Sequence, residues 1–277
     1  MPLPSPADMP EARPASRPLT VVTGGSEGIG LAIARLLAQR GQDLLLIARR
    51  PERLAEVADS IGSVSSANIA TLALDLTQDD ACDQIDAELV RLNAHIDLLV
   101  NAAGMGLSGA FAEADTQRLD QLGALNTTAP ARLMRYALPG MRARRRGGII
   151  NVASMGGLVP GPYQAAYYAS KAYLISLSEA VAAEVRQDGV RITVVAPGPV
   201  DTEFHAKMRA ESAFYWRFLP SSSPESVAQW AVRGHELGLR LVVPGVLNAL
   251  GAVALKLVPH ALLVPIMAWL LDPRRQK

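Results

Sequence analysis

Cysteine is nearly missing from this sequence of 277 residues: Cys82 stands alone, so the chain closes no internal disulfide and builds no cysteine-rich metal site. That is the usage of a protein kept in a reducing cytoplasm. An excess of one charge is missing too. Lys and Arg number 27 against 26 Asp and Glu, which removes any general pull toward nucleic acid. Arg142, Arg144, Arg145 and Arg146 do cluster, but at the end of a helical pattern, where positive charge suits the helix dipole. His95, His205, His235 and His260 lack metal-ligand spacing and are expected to be satisfied or solvated, so no metal site is expected.

Long apolar runs are absent as well. Residues 1–18 hold six prolines and no apolar stretch, which predicts a flexible leader rather than a secretory signal. Residues 241–271 are strongly apolar, yet Pro244, Lys256, Pro259 and Pro265 interrupt them. The longest uncharged run there, Leu257 to Leu271, has 15 residues, short of the roughly 18–20 that span a bilayer. No transmembrane helix is expected. The apolar extension 246–277 is left to cover a sheet edge, build a dimer contact, or lie on a membrane surface.

What the sequence does contain is a rhythm of short apolar runs followed by helical patterns. Strands are expected at 19–25, 43–48, 68–76, 96–104, 147–154 and 190–198, with a seventh near Leu241–Val243. Helical patterns fill 29–39, 52–60, 79–92, 116–144 and 167–186. Strands that are apolar on both faces imply a parallel sheet covered by helices on each side. The expected fold is therefore a Rossmann-type doubly wound α/β domain over 19–245, with ligands bound beyond the carboxyl ends of the strands.

The chemistry-bearing motifs fall just after those ends. Thr23-Gly24-Gly25-Ser26-Glu27-Gly28-Ile29-Gly30 joins the first strand to the first helix. Glycines there permit a tight turn and close backbone approach, and the helix start offers free N–H groups to a pyrophosphate. Gly24 to Gly28 also match G-x-S-x-G, which would make Ser26 a nucleophile. That reading needs an upstream oxyanion loop, and only one strand and the leader precede it. Strand two ends Ile47-Ala48-Arg49-Arg50, with alanine where an acid would hold the 2′-hydroxyl of NAD. Arg49, with Arg50 beside it, suits the 2′-phosphate of NADP(H) instead. Asp75 and Leu76, ending strand three, suit the adenine.

Tyr167 and Lys171 are four residues apart, hence on one helical face. A nearby ammonium stabilises a phenolate, so Tyr167 can exchange a proton with an alcohol or alkoxide oxygen. Ser154, closing strand five, can donate a hydrogen bond to a carbonyl oxygen.

In these residues the chain resembles the classical short-chain dehydrogenase/reductase family from about residue 18 to 245, in its NADP-preferring branch. The glycine loop is similar to the family's T-G-x-x-x-G-x-G, and Asn101-Ala102-Ala103-Gly104 to its N-N-A-G element. The 13-residue gap from Ser154 to Tyr167 matches too, and Lys171 completes the set. Pro197-Gly198-Pro199-Val200-Asp201-Thr202 resembles the segment that holds the nicotinamide carboxamide through Val200 and Thr202. The resemblance implies that Asn126 belongs to a proton relay, that Lys171 also binds the nicotinamide ribose, and that the chain pairs into a homodimer or homotetramer. It implies hydride transfer between NADP(H) and a ketone, aldehyde or secondary alcohol.

An apolar substrate is expected against Met105, Met155, Tyr163, Phe204 and Met208, under a lid at about 203–220 that also carries His205, Phe214, Tyr215 and Trp216. Two other classes compete: an NADPH-binding sensor and a membrane-surface scaffold, both without turnover. A sensor has no need of an acid–base tyrosine.

Overall fold

A computed structural model describes residues 16–202, 204 and 221–272. Seven strands form one sheet: β1 (Arg17–Thr23), β2 (Leu44–Ala48), β3 (Ile69–Ala73), β4 (Ala94–Asn101), β5 (Gly147–Val152), β6 (Val190–Val195) and β7 (Leu241–Val242). Every pairing is parallel, in the order β3-β2-β1-β4-β5-β6-β7. The strand order reverses between β1 and β4, and that switch point opens a crevice at the carboxyl edge.

Successive strand residues face opposite sides, and the two sides bury separate cores. On one, Val22, Leu44, Leu46, Val100 and Ile150 pack under α1 (Gly28–Gln39), α2 (Pro51–Gly62) and α7 (Pro224–Glu236). On the other, Val21, Leu45, Ile47, Leu99 and Ile149 pack under α3 (Ala81–Arg91), α5 (Ala129–Ala143) and α6 (Ala165–Glu184). Two helices, α8 (Val246–Leu257) and α9 (His260–Leu271), follow β7. Among the described residues no helix is long and apolar enough to cross a membrane.

The elements differ from expectation in three ways. β1 begins at Arg17, so the last two residues assigned to the leader belong to the sheet. Strands β1, β3, β4, β5 and β6 stop two or three residues early, because the apolar runs continue into loops that are themselves largely buried; Leu74 and Leu76 are examples. The single helix expected over 116–144 is α4 (Thr116–Gly123), a π-helical turn at Ala124–Thr128, and α5. Pro130 has no N–H to give back to Asn126, and the Ala129 N–H instead reaches Ala124 O, one residue further than an α-helix allows.

His235 is partly buried in α7, where desolvation, reinforced by the charge of Arg191, lowers its pKa to about 4. Thr193 Oγ1 gives its one hydrogen to Leu239 O at 2.7 Å, so at 3.1 Å it accepts from His235 Nδ1. Gly148 makes the room, since a Cβ there would lie 2.3 Å from Nε2. A folded pKa below the unfolded value near 6.5 means that protonation opposes folding. Stability is full above about pH 6.5 and falls by roughly 3 kcal/mol as pH drops to 4. Urea midpoints across that range should show this slope, and His235→Gln should lack it.

Candidate active site

The loop from β1 to α1 is shaped by what its glycines omit. Gly24 and Gly28 take left-handed backbone, with φ of 65° and 56°. A Cβ on Gly24 would lie 2.8 Å from Ala103 N, and one on Gly30 would lie 2.4 Å from Gly24 O. The loop thus folds onto the start of α1 and against the turn after β4. Thr23 pins the same contact: its hydroxyl donates to Val100 O at 3.2 Å and accepts from Ala102 N and Ala103 N at 3.1 and 3.3 Å. Glu27, preceding α1, makes no side-chain cap, and the first turn holds no acid. The N–H groups of Gly28, Ile29 and Gly30 therefore remain available to an anion. Ser26 is buried in the loop rather than presented as a nucleophile.

At the end of β2 both arginines are exposed, but they behave differently. Arg50 donates to Glu27 at 2.9 Å, offsetting an acid beside the glycine loop. Arg49 acts on Asp75. Partial burial pushes that carboxyl up, but the N–H and hydroxyl of Thr77, at 2.9 and 2.8 Å, and the charge of Arg49 outweigh it. The net effect holds Asp75 below the usual aspartate value.

Beneath the crevice runs a buried polar chain. Asn101 Nδ2 donates to Asn151 Oδ1 at 2.8 Å, and Asn151 Nδ2 donates to Ser178 Oγ at 2.8 Å. Asn126, swung inward on the π-helical turn, accepts from Met105 N at 2.9 Å and donates to Met105 O at 2.8 Å and Ser170 Oγ at 3.1 Å. Its amide is occupied in holding the loop after β4. Gly104 lies at the junction: a Cβ there would be 3.3 Å from Asn126 Oδ1 and 3.5 Å from Lys171 Nζ.

Above that chain, β5 and β6 stay paired past their ends, Met155 N donating to Pro197 O at 2.9 Å, and so set Ser154 beside the Pro197 segment. Ser154 Oγ accepts from Gly156 N at 3.1 Å, starting the short turn Met155–Leu158. Lys171 Nζ donates to Val152 O at 3.0 Å and lies 5.8 Å from the centroid of the Tyr167 ring. Complete burial lowers its pKa to about 8. The Tyr167 ring packs against Phe204, centroid to centroid 5.7 Å, in an apolar cluster with Leu122, Met105 and Leu107.

A cleft of about 360 Å³ collects these groups. Its lining runs from Gly24, Glu27, Gly28, Ile29 and Gly30, past Ala102, Ala103 and Gly104, to Ser154, Tyr167 and Lys171, and on to Pro197, Gly198, Val200, Thr202 and Phe204. Thr23, Ser26, Asn101, Asn126, Arg49, Arg50, Asp75 and Leu76, all expected at the site from sequence, are not part of this lining. Met155 and Tyr163 do not line it. The Met155 backbone is committed to Pro197, and Tyr163, at φ 64°, uses its carbonyl to anchor Gly109 at 2.8 Å. Met208 and the other lid residues named from sequence, His205, Phe214, Tyr215 and Trp216, lie outside the described residues, as do 1–15 of the leader. The described residues on either side of that segment do meet: Val200 bridges Ser222, and Asp201 N donates to Ser222 O at 3.1 Å.

Among the lining residues, sequence reasoning missed Arg35, Arg53, Pro224 and Glu225. Arg35 follows Gly28 by seven residues and so shares its helix face, a signal available in the sequence. Pro224 and Glu225 open α7, and nothing local ties them to the glycine loop.

Residues 18–213 match the family described as short chain dehydrogenase. The chain is 34% identical over 217 residues to the very-long-chain 3-oxoacyl-CoA reductase of Bos taurus, covering 77% of this chain and 67% of that one. It is 36% identical over 192 residues to the 3-oxoacyl-[acyl-carrier-protein] reductase of Bos taurus, covering 69% and 78%. A short-chain dehydrogenase from Sphingobium yanoikuyae, solved in complex with NADPH, superposes with a TM-score of 0.78 at 28% identity, covering 91% and 95%.

Proposed function

Because the chain belongs to the short-chain dehydrogenase/reductase family and is an oxidoreductase of the carbonyl/alcohol kind, we propose that it reduces a ketone or aldehyde, or oxidises a secondary alcohol, with NADP(H) and with Tyr167 as acid and base. The observation that carries this reading is the meeting of Ser154, Tyr167 and Lys171 with the glycine loop in one cleft.

The residues present fit a nicotinamide dinucleotide. Gly24 and Gly28 clear the backbone for a pyrophosphate, and the uncapped start of α1 supplies donors to it. On this reading Gly198, Val200 and Thr202, which line the cleft, would hold the nicotinamide, and Asp75, outside that lining, would meet the adenine. The nicotinamide, when bound, supplies or accepts the hydride. Ser154 spends a lone pair on Gly156 and keeps its hydrogen for the carbonyl oxygen. Tyr167 delivers a proton to that oxygen as it becomes an alcohol, or removes it in reverse. Lys171, desolvated under the ring, stabilises the phenolate left behind and holds the nicotinamide ribose. Phe204, Met105 and Leu107 around the tyrosine favour an apolar substrate and exclude water.

Titration with NADPH and NADH by nucleotide fluorescence, followed by a panel of carbonyl compounds, tests the reading. Binding of NADPH about tenfold tighter than NADH, with turnover of at least one carbonyl, is expected. Binding without turnover would return the sensor reading. Arg49→Ala should remove most of the preference between the two nucleotides, about tenfold, because its fork is free to meet a 2′-phosphate. Arg50→Ala should change it far less, since Arg50 is held by Glu27.

A further inference from the structure

The outward faces of α8 and α9 are built backwards for a helix on a water-facing surface. On α8, Val246, Leu247, Leu250, Val253 and Leu257 recur at helical spacing, and each is between 60% and 78% exposed. The small or polar residues, Asn248 and Ala252, face inward instead. On α9, Leu262, Ile266 and Trp269 are also half exposed or nearly so, while Leu263 and Leu271 are buried. An amphipathic helix on a soluble body carries the opposite arrangement.

This face is a fixed part of the molecule. Asn248 Nδ2 donates to Pro244 O at 2.9 Å, and the Asn248 side chain fills the space that a Cβ on Gly198 would need, 3.0 Å away. α8 also packs on the turn Met155–Leu158. The apolar stripe is therefore displayed by a helix seated on the cleft wall.

Charge chooses its occupant. Between Val246 and Leu271 the sequence holds one charged residue, Lys256, so the face lacks the polar rim of a protein–protein contact. Beyond it come Arg274, Arg275 and Lys277. Residues 246–277 thus carry four basic side chains against one acid, Asp272, which is buried, in a chain whose formal charge is only +1. Each helix has 12 residues, about 18 Å of rise against a hydrocarbon core of roughly 30 Å, so neither spans a bilayer. Apolar area, basic flanks and an exposed tryptophan together suit the boundary between headgroups and acyl chains.

We propose that α8 and α9 form a docking face for an anionic lipid surface, on which the protein lies without crossing. The proposal concerns this face alone and does not depend on the proposed chemistry.

The test is flotation of the full chain with vesicles of pure phosphatidylcholine and of phosphatidylcholine mixed with phosphatidylglycerol, alongside a Leu250→Asp/Leu257→Asp variant. Both leucines are exposed, so the variant should keep the parent's unfolding temperature and nucleotide binding. The parent should float with the mixed vesicles, less so as salt is raised, and the variant's bound fraction should fall by at least about tenfold. Three results would overturn the proposal. They are a parent that stays out of both vesicle fractions, equal binding to neutral and anionic vesicles, or binding that the two aspartates leave unchanged. Self-association abolished by the variant, in a parent that ignores vesicles, would assign the face to a second copy of the chain. NADPH titration of the same samples reports separately on the oxidoreductase reading.

Discussion

Tyr167→Phe should lower kcat by about a thousandfold while leaving the affinity for NADPH within a factor of about three. The side chain lies among Phe204, Tyr168 and Leu122, and phenylalanine keeps all of those ring contacts. The substitution therefore removes a proton donor without disturbing the frame, and its cost should appear in kcat rather than in binding. Lys171→Met is the complementary change. It removes the charge that sits 5.8 Å from the ring centroid and the hydrogen bond to Val152 O. Since Lys171 also faces the cleft, this variant should lose nucleotide affinity as well as kcat. Steady-state rates and nucleotide titrations on the two variants separate the roles. A Tyr167→Phe protein with parental turnover would end the acid–base assignment, and a Lys171→Met protein with parental affinity would end the ribose contact.

The parts of this molecule that could be read from sequence are those whose chemistry is local. Seven parallel strands and their alternation with helices followed from apolar runs such as Leu44–Ile47, because a strand covered on both faces has few polar positions. The positions of the glycine loop and of Tyr167 followed because each lies directly after a strand or at a helix start. What escaped reading depended on contacts between distant segments. The π-helical turn that swings Asn126 onto Met105 is one case: Pro130 carries the signal, but proline near a helix start is ordinarily innocuous. The commitment of Arg50 to Glu27 is another, since it joins the first and second crossovers through a contact that no spacing rule contains. Met155 and Tyr163 were placed by their neighbours in sequence, whereas their backbones serve as anchors between loops. The outward apolar stripe of α8 is a subtler case. Its periodicity was legible, but periodicity alone says only that one face is apolar, and not whether that face turns toward the protein or away from it.

Gly30→Ala should weaken NADPH binding by at least about a hundredfold, because the added methyl meets backbone rather than a side chain that can swing away. Its Cβ would stand 2.4 Å from Gly24 O and 3.2 Å from Ala102 Cβ. Gly24 cannot retreat freely, since its N–H donates to Ile47 O at 2.8 Å and its own Cβ position is already closed by Ala102 and Ala103. The clash must be relieved by lifting the loop away from α1, the one movement that also withdraws the Gly28, Ile29 and Gly30 N–H groups from a pyrophosphate. A stability loss of about 1–3 kcal/mol should accompany the change. Gly41→Ala is the control that keeps the two effects apart. Gly41 sits at φ 77° with nothing within 4 Å of its Cβ position, at the opposite end of α1 from the loop. Its backbone strain should cost about 1–2 kcal/mol of stability and leave the nucleotide affinity as it was. If Gly41→Ala and Gly30→Ala lose affinity alike, the loss reports general destabilisation. If only Gly30→Ala loses it, the close approach of the loop to α1 is what binds the dinucleotide.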